Sequence, residues 1–533
     1  MKIELTETEE RICQLLNGCA MSLQKEKNVY TTCRIAGGWV RDKLLGSQSN
    51  DIDVALSNAM GVEFAEHLAI YARREGIEAG TISKIAQNPN QSKHLETATC
   101  KILGLDIDFV NLRSEEYASN SRIPSKVSFG TPLQDALRRD ITINSLFYNV
   151  HTHVVEDFTG KGLDDLRNGI IRTPLPPAVT FLDDPLRILR CVRFASRFGF
   201  DIDPDLKAAA SDPVVQTSLA GKVSRERVGE ELSKMMKGRD PLLSMKLIHE
   251  LSLYTPIFSI NLPEKEKFST IPKSPDTALA SASILQLLTS HSHDQLPTLH
   301  PSLLVAFKND PSCKPRLFLA AALTPFTGIT YPGKKSKNLP AVEAVIREAL
   351  KLGTQNHFLD GIPLLFEACR KLHSYLETSS LNSDRVVIGK LLRDKTIHHH
   401  HTGSHWTSSI LFSLVQELVP LYTTSNEKLD VQEASKVVMF YNAFMDEIDK
   451  FGLSDAVDAK PLLDGNKIVT VLGASKGGPW VSQIQDYVVD WQLRNPQGTS
   501  EECNIWLRHE NISGRLPVHP ESSEPSSKRQ RRK

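Results

Sequence analysis

The sequence predicts an α+β protein whose strands lie in its N-terminal part and whose remaining domains are helical. Between residues 34 and 149, short strand-like runs such as "DIDVAL" and "LFYNV" alternate with helical segments, which is typical of an α+β domain. After Pro177 the strand signals vanish and helical periodicity dominates. With 533 residues, the chain is long enough for about three or four domains, each with its own core.

The order of the helical elements follows from local periodicity. Residues 1–28 are predicted to form a helix because their apolar side chains recur on one stripe. The run "DDPLRILRCVRFASRFGF" at 183–200 is predicted to be one helix that is packed on much of its circumference. Ser224 lies at a predicted cap position and marks the start of a later predicted helix. The polar, proline- and serine-containing stretch at 262–301 is interpreted as a boundary or a flexible insertion, after which helices continue to about residue 452.

Composition disfavours several classes of protein. Lysine plus arginine equals aspartate plus glutamate, with 63 residues each, so any surface that binds nucleic acid has to be local. The eight cysteines are scattered without a Cys-x-x-Cys pair, which disfavours a disulfide framework and a structural zinc site and indicates reduced core thiols. No apolar run approaches the roughly 18 residues of a membrane span, and the N-terminus resembles an acidic amphipathic helix rather than a signal peptide. We therefore expect a soluble protein with no membrane partner.

Two aspartates one residue apart, Asp51 and Asp53, follow a glycine pair at Gly37 and Gly38. In a strand, alternate side chains share a face, so both carboxylates point to one place. Hard oxygen ligands this close suit one or two divalent cations. The glycines end an apolar strand and allow backbone N–H groups to approach a triphosphate closely. The pattern predicts a site for a metal-bound nucleotide, although an isolated Asp-x-Asp also occurs at solvated strand ends.

The stretch "GGWVRDKLLGSQSNDIDVAL" resembles motif A of the nucleotidyltransferase superfamily, which includes poly(A) polymerase. With "RRDITINSLFYN" and "DDPLRILRCVRFASRFGF", it makes the chain similar to the eukaryotic type of class II CCA-adding enzymes, a family of tRNA nucleotidyltransferases. The similarity is dense over residues 30–235, and residues 460–499 resemble the tail of eukaryotic members. The predicted domains are a catalytic nucleotidyltransferase head with a mixed β-sheet at 1–150, a helical neck for nucleotide selection at 151–261, a helical body at 262–455, a tRNA-binding helical tail at 456–515 and a disordered basic tail at 516–533.

The resemblance implies a third carboxylate from a later strand. In "DIDFVNLRSE", alternation places Asp106 and Asp108 on one face. The family pattern selects Asp108 and leaves Asp106 as a solvent-exposed neighbour, whereas an ordinary acidic edge strand is the alternative. The family further implies two Mg²⁺ ions, with Asp51 and Asp53 as ligands and Asp108 as the third catalytic carboxylate. One ion would activate the RNA 3′-hydroxyl and the other would bind the leaving pyrophosphate.

The run "LRRDITINSLFYN" resembles motif B, which binds the nucleotide in this family. Planar guanidinium groups suit forked contacts to phosphate oxygens, whereas Asp140 and Asn144 are candidates for ribose hydroxyls. A surface salt-bridge cluster is the alternative interpretation. The predicted nucleotide- and triphosphate-binding set is Gly37, Gly38, Arg41, Arg138, Arg139, Asp140 and Asn144.

The run "DDPLR" resembles motif D, which selects the base. Asp184 and Arg187 are three residues apart and are predicted to share a helix face. A carboxylate that accepts from the exocyclic amino group, beside a guanidinium that donates to the ring nitrogen, would take cytosine and adenine and reject uracil and guanine. The family usually has Glu where this chain has Asp183, a residue thought to orient the arginine. A charge pair that stabilises the helix N-terminus is the alternative.

The run "SRERVGEEL" resembles motif E, a helix that braces the base-selecting helix. By this resemblance Arg227 and Glu231 have a supporting role. Arg190 and Arg193 are candidates for phosphate or primer contacts, unless they form a solvated face.

Three further runs contain clusters of histidine, glycine or basic residues. Four adjacent histidines, His398 to His401, are predicted to lie in a polar loop, because they cannot converge on one metal and no carboxylate follows at zinc-enzyme spacing. The segment 460–480 lacks the P-loop pattern; by resemblance it binds the tRNA elbow, with Lys467 or Lys476 on backbone phosphates. The run "KRQRRK" fits nuclear import and RNA affinity equally.

The predicted function is template-independent completion of the tRNA 3′-CCA end from CTP and ATP, with Mg²⁺ as cofactor and tRNA, CTP and ATP as partners. No obligatory protein partner is evident. A same-fold enzyme that adds only CC or only A is the first alternative; a poly(A)-type polymerase and an inactive RNA-binding relative are the others. We expect a cytoplasmic or nuclear location, or both, and a mitochondrial location stays open.

Overall fold

The computed structural model describes residues 2–85, 97–117, 124–260, 267–290, 296–333, 338–378 and 384–516. These residues belong to two compact units. The first consists of Met1–Leu279 with Gly328–Gly353, and the second of Ala280–Thr327 with Thr354–Lys533. The predicted basic tail beyond residue 516 lies outside the described residues. The boundaries of the five predicted domains stay a prediction.

The N-terminal part of the first unit contains a seven-stranded mixed sheet, which confirms the predicted head architecture. Its order is β3-β4-β5-β2-β1-β8-β9, and the β2–β5 pair is parallel whereas the other pairs are antiparallel. A separate hairpin is formed by β6 and β7. The strands are β1 (Cys33–Ala36), β2 (Asp51–Leu56), β3 (Ser83–Ile85), β4 (Thr97–Ile102), β5 (Leu105–Asn111), β6 (Arg113–Tyr117), β7 (Pro124–Phe129), β8 (Phe147–Asn149) and β9 (Val154–Glu156).

The alternation of apolar and acidic residues in β2 explains why it lies in the interior of the sheet. Ile52 and Val54 are fully buried on one face, so the alternate aspartates lie on the other face. The parallel register pairs Asp51 with Asp106 and Asp53 with Asp108. Four acidic positions are thereby brought together at one end of two neighbouring interior strands.

The helices around the sheet include the predicted N-terminal helix, which is confirmed. A capping box between Thr6 and Glu9 starts it. The buried carboxylate of Glu9 also accepts hydrogen bonds from Lys43 Nζ, at 2.7 Å, and from the Trp39 indole, at 3.2 Å. It therefore fixes the helix that follows the glycine pair. The helices of this part are α1 (Glu7–Lys27), α2 (Gly38–Leu44), α3 (Gly61–Arg74), α4 (Pro132–Leu137) and α5 (Gly162–Asn168).

The segment after residue 169 is mainly helical, with one short parallel pair, β10 (Ile170–Ile171) and β11 (Asp201–Ile202). The prediction of one helix over 183–200 is wrong at its start. Asp184 has extended backbone angles, and Pro185 precedes the next helix because proline is favoured at a helix start and disfavours helix in the residue before it. The helices are α6 (Pro177–Asp183), α7 (Leu186–Phe198), α8 (Pro204–Ala210), α9 (Pro213–Lys222), α10 (Arg225–Lys237), α11 (Pro241–Glu250) and α12 (Tyr254–Phe258).

Gly229 in α10 marks a close approach between two backbones of the first unit. A Cβ atom at this position would lie 1.8 Å from the carbonyl oxygen of Leu350. We expect Gly229→Ala to destabilise the fold by about 1–3 kcal/mol, as overpacking in a core does. The urea midpoint measures the effect. Gly221→Ala in α9 is the matched control, because a Cβ there meets nothing within 4 Å; equal midpoints for the two variants would contradict the prediction.

The stretch 262–301, interpreted as a boundary or insertion, contains a 14-residue helix, α13. Its small side chains are buried, among them Ala280, Ser281 and Ala282, and Ser281 Oγ accepts a hydrogen bond from Gln416 Nε2. The division between the two units also falls within this stretch, after Leu279. The helix itself was not predicted, because the burial of its serine and alanine residues depends on distant partners. The remaining helices are α13 (Asp276–Thr289), α14 (Val305–Asn309), α15 (Cys313–Ala322), α16 (Ala341–Ala344), α17 (Phe358–Thr378), α18 (Arg385–Leu392), α19 (Trp406–Leu418), α20 (Val431–Lys450), α21 (Gly465–Val471), α22 (Trp480–Arg494) and α23 (Ser500–Ile512).

Short hairpins also occur beyond Pro177, where the sequence predicted none. They are β12 (Thr330–Pro332) with β13 (Asn338–Pro340) and β14 (Tyr422–Thr423) with β15 (Lys428–Leu429). Two or three residues per strand are too few for a periodic signal. In the described part of the chain, no helix has the length and apolarity needed to cross a membrane.

The histidine run has a carboxylate partner that sequence spacing did not reveal. Nε2 of His398 and Nε2 of His400 each lie 2.7 Å from the same Asp458 oxygen. Nδ1 of His398 accepts from the Trp406 backbone N–H, so the ring proton of neutral His398 lies on Nε2 and is donated to Asp458. The three side chains thus form a hydrogen-bonded connection between two segments of the second unit.

Candidate active site

A cleft of about 620 Å³ in the first unit contains most of the predicted site residues. Nine arginines and four aspartates line it, so its surroundings are strongly positive although the whole chain carries no net charge. Such a local field attracts polyanionic ligands. The described residues that line it are Gly37, Gly38, Arg41, Asp51, Asp53, Thr97, Val110, Asn111, Arg113, Arg138, Arg139, Asp140, Asn144, Asp184, Arg187, Arg190, Arg193, Phe194, Arg197 and Arg227.

The three predicted catalytic carboxylates are brought together. One oxygen from each of Asp51, Asp53 and Asp108 lies within 4.8 Å of the others. Burial, followed by repulsion from Asp51, raises the pKa of Asp53 to about 6, although Arg139 opposes the shift. Thr99 Oγ1 donates to Asp108 and fixes that side chain. Clustered carboxylates that repel one another are the donor set that a hard divalent cation stabilises.

The glycine pair lies at the end of β1, beside the acidic end of β2, because the two strands are antiparallel. Gly37 has a positive φ of 71°, and a Cβ there would lie 2.7 Å from Nη1 of Arg139. The positive φ favours glycine, and a side chain at this position would displace the Arg139 guanidinium. The Arg41 guanidinium is buried, donates to Asn144 Oδ1 and lies 4.9 Å from the centre of the Phe198 ring. The predicted motif A residues therefore line one wall of the cleft.

Arg138 and Arg139 are held by an acid that the sequence analysis missed, Asp135. One oxygen of Asp135 accepts from Arg138, and the other accepts from Arg139. Burial alone would raise the pKa of Asp135, but the guanidinium groups of Arg139 and Arg138 hold it below its ordinary value. The spacing of three and four residues in "DALRRD" was the available signal, since such residues are neighbours on a helix.

Asp140 and Asn144, the predicted ribose contacts, bind protein groups in this structure. One Asp140 oxygen accepts from Arg190 Nε at 2.7 Å, and the other accepts from the Asn144 amide at 3.0 Å. Burial alone would raise the pKa of Asp140, but Arg190 and Asn144 lower it to about 2. These bonds connect the sheet domain to α7, and the predicted ribose contacts stay a prediction.

The base-selecting pair lies in the cleft, but not on one helix face. Asp184 precedes α7, and Arg187 lies in its first turn, where its backbone N–H donates to the Asp184 carbonyl oxygen at 3.0 Å. The Asp184 carboxylate accepts from Arg227 Nη2 at 2.9 Å, and Arg187 Nη2 donates to the Arg138 carbonyl oxygen at 2.7 Å. Asp183 is not among the described residues that line the cleft, yet its charge interacts with Arg187.

The supporting residues connect α7 with α10. Glu231 is buried and accepts from Arg193 Nε at 2.5 Å, and Arg190 Nη1 lies 3.9 Å away. The Arg193 guanidinium also lies 4.1 Å from the centre of the Phe194 ring. Arg197 was missed by the sequence analysis, although it is four residues after Arg193 and so lies on the same face. The bond from Arg193 of α7 to Glu231 of α10 supports the motif E interpretation of Arg227 and Glu231.

Comparison with known proteins gives consistent matches. The family model described as "Poly A polymerase head domain" matches residues 33–172, and "Probable RNA and SrmB- binding site of polymerase A" matches 199–266. The chain is 38% identical to a mitochondrial CCA tRNA nucleotidyltransferase of Saccharomyces cerevisiae, over 95% of this chain and 94% of that protein. Two solved structures at 18% identity share the fold. A CCA-adding enzyme with CTP has a TM-score of 0.57, with 95% of each chain covered. The Thermotoga maritima enzyme with tRNA has a TM-score of 0.55, covering 94% of this chain and 95% of that one.

Proposed function

Because this chain belongs to the family of CCA tRNA nucleotidyltransferases, we propose that it completes the 3′-CCA end of tRNA from CTP and ATP without a nucleic-acid template. The observation that carries the proposal is that Asp51 and Asp53 of the acidic cluster line the same cleft as the pair Asp184 and Arg187. The acidic cluster would bind the metal needed for nucleotide transfer, and Asp184 and Arg187 would select the base.

Asp51, Asp53 and Asp108 are the residues that would hold the metal, and we propose Mg²⁺. Their three carboxylates and the raised pKa of Asp53 fit a hard divalent cation. When bound, two such ions supply activation of the RNA 3′-hydroxyl and charge neutralisation at the leaving pyrophosphate. The residues of this chain position the acceptor and the α-phosphate around that centre.

The proposed triphosphate site is formed by Arg138, Arg139 and the glycine pair. Arg139 bonds the Asn144 carbonyl oxygen at 3.0 Å and lies against Gly37. A guanidinium held in this way can present its remaining N–H groups to phosphate oxygens with little loss of conformational freedom. Arg190, Arg193 and Arg197 extend the positive surface along α7, and we assign them to the primer or the phosphates.

Base selection is assigned to Asp184 and Arg187. Cytosine and adenine each present an amino donor beside a ring-nitrogen acceptor, which matches an acid next to a guanidinium. Uracil and guanine would leave these polar groups unpaired, at a cost of about 1–3 kcal/mol each. The bond from Arg227 to Asp184 and the bond from Arg187 to the Arg138 carbonyl give both side chains a defined direction.

For tRNA binding we propose α21 to α23, whose core includes Ile468, Trp480 and Leu507. Lys467 and Lys476 are exposed on this helical group and can reach backbone phosphates of tRNA. Contacts to the phosphates recognise the A-form shape of RNA rather than its sequence. The name of the Saccharomyces relative supports a mitochondrial role; the cytoplasmic and nuclear location stays a prediction.

An extension assay tests the function. Purified protein with Mg²⁺, CTP and ATP receives three tRNA substrates, which end before the CCA sequence, after the first C and after CC. We expect additions of three, two and one nucleotides, followed by arrest. Addition that stops at CC, or that occurs only after CC, would support the divided-task enzyme. Long adenylate tails would support a poly(A)-type polymerase, and no addition would support an inactive relative.

A further inference from the structure

Asp135 is a buried acid that holds two arginines of the cleft wall, Arg138 and Arg139, and it lies outside the set that the sequence predicted. It lies on α4, three and four residues before the two arginines, and its side chain is 1% exposed. Oδ1 accepts from Arg138 Nε at 2.8 Å and from Nη2 at 2.6 Å. Oδ2 accepts from Arg139 Nε at 3.1 Å and from Nη2 at 2.9 Å. A single carboxylate therefore holds two guanidinium groups side-on, each through two hydrogen bonds.

This geometry determines where the other ends of the arginines point. With Nε and Nη2 of Arg139 held by Asp135, its Nη1 donates to the Asn144 carbonyl oxygen and fills the space beside Gly37. Two N–H groups of one guanidinium that converge on a single oxygen restrict its rotation more than one hydrogen bond does, because the guanidinium is planar. Asp135 thus fixes Arg139, whose positive charge acts on Asp53 of the acidic cluster.

Asp135 also acts on the base-selecting residue Arg187, through the main chain of Arg138. Oδ1 of Asp135 accepts from the Arg113 backbone N–H at 3.3 Å, and the side chain of Arg138 is anchored on that oxygen. The carbonyl oxygen of Arg138 accepts from Nη2 of Arg187 at 2.7 Å. The position of Arg138 therefore sets the position of Arg187, and both depend on Asp135.

We propose that Asp135 is a positioning and specificity-determining residue that aligns the triphosphate-binding arginines and, through the Arg138 main chain, the base-selecting Arg187. The inference rests on the proposed function and deepens it. It predicts that triphosphate affinity and choice of base are coupled through one carboxylate. A purely structural role would instead change stability and leave the choice of base intact.

The experiment uses the full chain with Mg²⁺ and tRNA that ends before the CCA sequence. Initial rates of single-nucleotide addition give kcat and KM for CTP and for UTP. Asp135→Asn keeps the side-chain shape and removes the charge. We expect the KM for CTP to rise about 10- to 100-fold, the range seen when a supporting partner is removed, and the CTP-to-UTP ratio of kcat/KM to fall at least about tenfold.

Asp164→Asn is the matched control. Asp164 also pairs with an arginine three residues later, at 2.6 Å, but both side chains are more than half exposed. This variant should keep the wild-type KM and selectivity. If Asp135→Asn changes only the melting temperature, or lowers kcat/KM equally for CTP and UTP, the inference is overturned.

A second variant decides the question if Asp135→Asn does not fold. Asp135→Glu keeps the charge but displaces it by one methylene, so it should fold and still lower the CTP-to-UTP ratio. Wild-type selectivity in folded Asp135→Glu would overturn the inference. The failure of the proposed function is distinguishable, because in that case the wild-type protein itself would not prefer CTP to UTP.

Discussion

Replacing Asp53 with alanine is expected to abolish nucleotide addition, with a loss of rate of about 10³-fold or more, as removal of a central electrostatic group produces. Asp53 is a half-buried member of the acidic cluster, two residues after Asp51 and opposite Asp108 in the β2–β5 register. Without it, the metal would lose one of its carboxylate ligands and would no longer be held in the position that the reaction requires. The extension assay with Mg²⁺ measures the loss, and tRNA binding measured in parallel should be retained.

Thermal stability shows whether activity is lost because the metal site is removed or because the protein misfolds. Because burial and Asp51 raise the pKa of Asp53 to about 6, the folded protein binds a proton here more tightly than the unfolded chain. The contribution of Asp53 to stability is therefore lost as pH rises through about 6. At pH 7.5 without a cation, the variant Asp53→Asn should melt at the wild-type temperature or higher. Loss of activity with a lower melting temperature would point to misfolding instead.

Asp106→Ala is the matched control for the acidic cluster. Asp106 belongs to the same strand as Asp108 and pairs with Asp51 in the parallel register, but its side chain is 68% exposed. It is expected to retain nearly wild-type addition. Equal losses for Asp53→Ala and Asp106→Ala would contradict the assignment, since a general loss of negative charge would then explain both.

Patterns in the sequence were sufficient where neighbouring residues determine the result. Strand alternation placed Asp51 and Asp53 on one face, and the buried Ile52 and Val54 explain why. The family pattern chose Asp108, which the β2–β5 register brings opposite Asp53. Periodicity also found α1, because its apolar stripe lies within one continuous segment.

Prediction failed where the partner is distant or where a single residue breaks a pattern. Pro185 separates Asp184 from α7. The prediction that Asp184 and Arg187 share a helix face used only their spacing of three residues and did not take this proline into account. Asp458 reaches the histidines from about 60 residues away, and no periodicity encodes such a contact. The role of Asp135 was also missed, since a buried acid and an exposed acid at the same spacing look identical in sequence.

The positive charge of the cleft also depends on residues that are distant in the sequence. The chain as a whole is neutral, but nine arginines from the sheet domain and from α7 and α10 converge on one cavity. Their like charges are tolerated because Asp135, Asp140, Asp184 and Glu231 each pair with at least one of them. The paired arginines keep fixed directions, which a template-like surface requires.

Arg187→Ala is expected to abolish most of the discrimination between the nucleotides. Removal of the guanidinium takes away the proposed donor to the ring nitrogen of cytosine or adenine, whereas Asp184 keeps its ion pair with Arg227. We expect the CTP-to-UTP and ATP-to-GTP ratios of kcat/KM to fall about 10- to 100-fold, corresponding to the cost of one unpaired polar group. Competition assays with pairs of nucleotides on tRNA ending before the CCA sequence, or after CC, measure both ratios.

Two further variants separate base reading from charge. Arg187→Lys keeps the positive charge but loses the planar fork, so selectivity should fall nearly as far as with alanine. Arg167→Ala removes an exposed arginine that is paired with Asp164, and selectivity should be unchanged. If Arg187→Ala keeps the wild-type ratios while both rates fall, the arginine binds phosphate rather than the base. The choice of C and A would then have to come from another part of the cleft.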